Sequence, residues 1–95
     1  MATTIGLAHL DFSLAGALSL KDKRRSVKSF KDRLGSHCNV SVAEVGAMDC
    51  RNRAVLAVAM VGNDHRYVEG ALQKIINAAE NYRDMVLVHA EIELL

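Results

Sequence analysis

The densest chemistry in this chain is cationic. Residues 21–33 hold seven bases (Lys21, Lys23, Arg24, Arg25, Lys28, Lys31, Arg33) against two acids, Asp22 and Asp32. That segment is net +5, while the remainder, with five bases and nine acids, is net −4, so the overall +1 hides an asymmetry. At 100° per residue, Lys21, Arg24, Arg25, Lys28 and Lys31 fall on one side of a helix. Leu20, Lys23, Val27, Phe30 and Leu34 fall on the other. Like charges three and four apart cost about a few tenths of a kcal/mol per pair, and an acidic or phosphate-rich partner offsets that cost. Phosphate contacts of this kind set affinity and weaken as salt rises. Lys23 lies at the edge of the apolar side, where its stem is expected to pack and its head to reach solvent.

No other residues assemble into a catalytic pattern. His9 and His89 share a sheet face with Asp11, Glu91 and Glu93, but no HxH or HExxH spacing supports a metal site there. Cys38 and Cys50 form no CxxC pair and read as free thiols of a reducing cytoplasm. Cys50, beside Arg51 and Arg53, reads as a bystander. Glu44 is expected at a sheet edge or as the partner of Arg53 across a hairpin. Asn63-Asp64-His65-Arg66 reads as a helix N-cap. The loop Leu14-Ala15-Gly16-Ala17 with Arg24 or Arg25 downstream imitates the anion loop of acyl phosphate hydrolases only loosely, because a glycine-rich cradle is missing. The aromatic residues are Phe12, Phe30, Tyr67 and Tyr82, and only Phe12 falls on a predicted strand, on its core side. Stacking of RNA bases on an open sheet is therefore not expected. No catalytic residue, metal ligand or cofactor is assigned.

These groups must be positioned by a domain of 95 residues, half of them apolar and none of them proline. Residues 4–14 alternate, with Gly6, Ala8, Leu10, Phe12 and Leu14 on one side of a strand. Ser19 to Asp22 resembles a capping box, and helical spacing over 20–34 ends at Gly35. A second strand is expected at 39–46 and a hairpin loop at 49–52. Residues 53–61 are nearly all apolar, as in a central strand covered on both faces. A second helix is expected at 64–81 and a last strand at 85–94, with Leu87 facing away from the core. Strand, helix, strand, strand, helix, strand predicts a single ferredoxin-like α+β domain spanning 1–95. Its four-stranded antiparallel sheet has order 4-1-3-2, with both helices on one face. The sheet's other face, half apolar, suits a homodimer contact. No targeting segment and no run of roughly 18 apolar residues is present, which predicts a cytoplasmic protein without membrane contact.

Three stretches together resemble the YlxP-like family of small uncharacterised bacterial proteins. They are Ser19-Leu20-Lys21-Asp22-Lys23-Arg24-Arg25, Asn39-Val40-Ser41-Val42-Ala43-Glu44-Val45-Gly46, and Asn63-Asp64 opening the second helix. The resemblance spans nearly the whole chain. It implies a ferredoxin-like fold, no established enzymatic activity, and a gene setting beside translation initiation and ribosome maturation factors in many bacteria. Ala15 stands where that family usually has proline and Cys50 where it often has an aromatic, which bears on the two loops. The expected function is a non-enzymatic RNA- or ribosome-associated module binding through Lys21, Arg24, Arg25, Lys28 and Lys31. The alternatives are a homodimeric module for an acidic protein partner and, more remotely, a small phosphoester or acyl phosphate hydrolase.

Overall fold

The computed structural model describes residues 2–95. Its elements are β1 (Thr4–Ser13), α1 (Leu20–His37), β2 (Ser41–Gly46), β3 (Arg53–Gly62), α2 (His65–Ala79) and β4 (Val86–Leu94). All strand pairs are antiparallel, in the order β2-β3-β1-β4. This is the ferredoxin-like α+β arrangement that the order of elements predicts.

The alternation in β1 decides which face meets the helices. Ala8, Leu10 and Phe12 are fully buried and pair in register with Val58, Leu56 and Ala54 of β3, which are buried as well. Val27, Phe30 and Leu34 of α1 and Val68, Leu72, Ile75, Ile76 and Ala79 of α2 close over them. Truncating a fully buried leucine such as Leu10 or Leu56 to alanine removes about 2–5 kcal/mol, because the lost contacts leave a cavity. α2 approaches β1 closely, since a Cβ on Gly6 would lie 2.5 Å from Val68 Cγ1 and 2.7 Å from Leu72 Cδ1.

Three expectations need correction. α1 runs through Gly35 to His37, with Cys38 as its cap. Among the described residues no glycine has positive φ, so Gly35 adopts helical geometry and does not stop the helix. β4 changes register against β1 between Asp11 and Phe12, which puts Leu87 opposite Phe12 on the core side. A bulge shifts the two-residue period by one, so the sequence pattern assigns Leu87 to the wrong face. β3 is central but covered on one side only, and Val61 is 60% exposed on the other.

Candidate cationic binding surface

α1 is held at both ends of its first turn. Ser19 Oγ accepts from the Asp22 amide at 3.1 Å, and Asp22 Oδ2 accepts from the Leu18 amide at 3.0 Å. This reciprocal cap fixes where the helix starts and therefore which residues face outward. Lys21, Arg24, Arg25 and Lys28 are exposed, and Lys31 is half-buried at the flank of the stripe. Lys28 Nζ meets Asp32 Oδ2 at 2.7 Å, one turn on. A pair this exposed contributes only about a few tenths of a kcal/mol and exchanges readily for another anion. Lys21, Arg24, Arg25 and Lys31 have no carboxylate partner among the described residues.

Lys23 does not reach solvent. It is fully buried, and its ammonium sits 2.8 Å from Glu44 Oε2, 2.8 Å from the Ala47 carbonyl, 3.0 Å from that of Met48 and 3.3 Å from that of Arg53. An ammonium has three protons, so four acceptors enclose it fully. The β2–β3 turn is thereby clamped to α1. Ala47, at φ 55°, is the only non-glycine residue in the left-handed region among those described. Its strained backbone brings two carbonyls to the lysine. Glu44 is therefore the partner of Lys23. Arg53 binds Asp11 across the outer sheet face, with Nε to Oδ1 at 3.1 Å and Nη2 to Oδ2 at 2.9 Å. Hydrogen bonds from the guanidinium hold the Asp11 carboxyl below its ordinary pKa and raise that of Arg53.

The remaining candidates take plain structural roles. His9 stands opposite Glu91 and His89 opposite Asp11, so the two histidines lie on a diagonal and not side by side. Among the described residues no group of three ligands is placed to hold a metal. Asp64 caps α2 by accepting from the amides of Arg66 and Tyr67. Cys50 Sγ donates to Asn52 Oδ1 at 3.0 Å. Arg25, with Ser26 and Arg83, borders a shallow groove beside the Leu14–Ala17 loop, where Asp22 and Asp84 balance its charge. No helix of the described residues is long and apolar enough to cross a membrane.

The charge asymmetry follows the layers. α1 and α2 together carry nine bases and three acids, whereas strands and loops carry three bases and eight acids. Fold and surface thus define a small α+β domain with a cationic helical layer. The sequence profile of a family described as "Protein of unknown function (DUF503)" matches residues 5–92, and the chain belongs to that family. It is similar to a Bacillus subtilis (strain 168) protein described as "Uncharacterized protein YlxP", with 28% identity over 81 residues, 85% of this chain and 88% of that protein.

The family-like segments acquire physical meaning in this geometry. Ser19 and Asp22 cap α1, Lys23 and Glu44 form one buried ion pair joining two of the segments, and Asp64 caps α2. These roles account for fold. Lys21, Arg24 and Arg25 of the first segment have no such role. Sequence reading misses the Lys23–Glu44 pair, although a lysine on the apolar side of a helix was its visible signal.

Proposed function

We propose that this protein is a non-enzymatic module that binds structured RNA, ribosomal RNA in the first place, through the outer face of α1. One observation carries the reading: Lys21, Arg24, Arg25, Lys28 and Lys31 form a stripe in which, among the described residues, only Lys28 has a carboxylate partner. Such a face suits a regular array of phosphates better than a single small anion. The gene setting that the family resemblance implies, beside translation factors, agrees with this choice of polyanion.

The test is co-sedimentation with ribosomal subunits, and filter binding of ribosomal RNA, across a range of salt. Binding is expected to fall steeply with salt, and each phosphate-contacting cation removed should reduce the log–log salt slope by about one. Arg24→Glu with Arg25→Glu should abolish binding while leaving the fold intact, because both side chains are exposed. Salt-independent association, or wild-type affinity in the double variant, would refute the reading.

A second surface supports a homodimer. The sheet face away from the helices exposes Ile5, Val45, Val61 and Val86 around Leu7, Val55, Ala57 and Ala59. Its occupant on this reading is a second copy of the chain, which leaves both α1 stripes facing outward.

A further inference from the structure

α1 and α2 lie side by side on the sheet, with little close approach between their backbones. At one end the gap between them is closed. Phe30 meets Tyr82 edge-to-face at 5.2 Å, and Ser29 Oγ lies 2.8 Å from the Tyr82 hydroxyl. Between the last turns of α1 and the stretch of α2 from Arg66 to Ala78, no side-chain hydrogen bond or aromatic pair among the described residues bridges it. There α2 presents Gly70, Ala71 and Ala78, which are too small to fill the gap. An open groove of about 670 Å³ results, within the size range of small-ligand sites.

We propose that this groove binds a nucleoside phosphate. Leu34, Met60 and Ile75, each nearly buried, line it with apolar surface. Arg33, His37, Arg66 and Lys74 also line it, and among the described residues no carboxylate does. Among the described residues none of the three Arg and Lys side chains has a salt-bridge partner. The neighbouring grooves differ: one, which adjoins this groove at Arg66 and Gly70, is also bordered by Glu69 and Glu91, and the other by Asp22 and Asp84. Charge therefore selects an anion here.

The aromatic residue selects what the anion carries. Tyr67 is 70% exposed at this groove, whereas Phe12, Phe30 and Tyr82 are committed to the core and the closed end. An exposed ring beside an apolar floor suits a flat base, and guanidinium and ammonium groups at the same groove suit its phosphate. The side chains come from three separate segments, and none belongs to the α1 stripe. The site goes beyond the RNA-binding reading and fails or holds separately from it.

The source of the nucleotide is either a free mononucleotide or one unit of a single strand. The test is a two-dimensional amide NMR titration of the full chain with the 5′-monophosphates of adenosine, guanosine, cytidine and uridine. Adenosine and inorganic phosphate serve as controls, with a tetranucleotide of the base that binds best. At least one monophosphate should give saturable shifts confined to residues 33–39, 60–61 and 66–78. Inorganic phosphate and adenosine should each bind about tenfold or more weakly than the corresponding nucleotide. Tyr67→Ala and Lys74→Glu should weaken binding by a similar factor with an otherwise native spectrum, and Arg24→Glu should leave it unchanged. A tetranucleotide that binds tighter than the monophosphate assigns the site to a single strand, and equal or weaker binding assigns it to free nucleotide. No shift with any monophosphate, equal binding of inorganic phosphate, or shifts confined to residues 21–31 would overturn the proposal.

Discussion

At the scale of single residues, Lys23 contributes most to explaining why this sequence holds this shape. Its place on the apolar side of α1 is legible from spacing alone. Its environment is not, because three of its four acceptors are main-chain carbonyls brought together by a turn whose geometry no side chain advertises. Burying an ammonium is tolerable only when every proton finds an acceptor, and removing one member of such a pair costs about 3–5 kcal/mol. Lys23→Met keeps the apolar stem but removes the donor to three carbonyls and the Glu44 carboxylate, of which the Ala47 carbonyl keeps the Cys50 amide. A domain of this size has about 5–15 kcal/mol in total, so the variant should fall close to unfolding. A urea titration checks this, and a stability within about 0.5 kcal/mol of the parent would refute the clamp. Lys23→Arg should not rescue the loss, since a planar guanidinium does not fit a compact four-acceptor cage.

At the scale of elements, periodicity locates all six segments, and the departures have local causes. Gly35 fits a helix stop by type, but its backbone continues the helix. The register change beside Asp11 and Phe12 is set by how β4 pairs with β1, a long-range property that no window of residues contains. The same holds for α2. Its apolar stripe is plain in the sequence, but its depth on the sheet depends on the missing side chain at Gly6, which reads there only as one more small residue of an alternating strand. Gly6→Ala would place a Cβ against Val68 and Leu72, and those tips must then shift within a packed core. The expected cost is about 1–3 kcal/mol, read as a lower urea midpoint with the slope unchanged. Adding Leu72→Ala should then cost less than it does in the parent, because the two changes share one space. Strict additivity of the two losses would mean that α2 does not rest on Gly6.

At the scale of the whole molecule, the helical layer gathers positive charge and the sheet and loops carry the acids. The α1 stripe is visible in the sequence because it is one continuous segment. The groove between the helices is not, because Arg33, Tyr67 and Lys74 meet only after folding. The bare sheet face is intermediate: alternation reveals its apolar residues, but not their layout. In register, Ile5, Leu7 and His9 of β1 lie beside Val61, Ala59 and Ala57 of β3, so mostly small and apolar residues gather along the centre line. Glu91 and Glu93 lie on β4, at the edge of the sheet. A dyad parallel to the strands would lay each β4 over the partner's β2 and leave both acids at a solvated rim. The available area sets the affinity. Strands about 4.8 Å apart and about 3.3 Å per residue, ten residues long in β1 and β3, nine in β4 and six in β2, give roughly 550 Å² per copy, or roughly 1,100 Å² in total. That is just under the standard interface size, so the dimer should be weak and dissociate on dilution through the micromolar range. Sedimentation equilibrium should show the exchange, and Val61→Glu, at an exposed position near the centre line, should hold the protein monomeric without lowering its stability. A single species at monomer mass up to about millimolar concentration, where a contact of even a few kcal/mol would be populated, would mean that this face meets something other than itself.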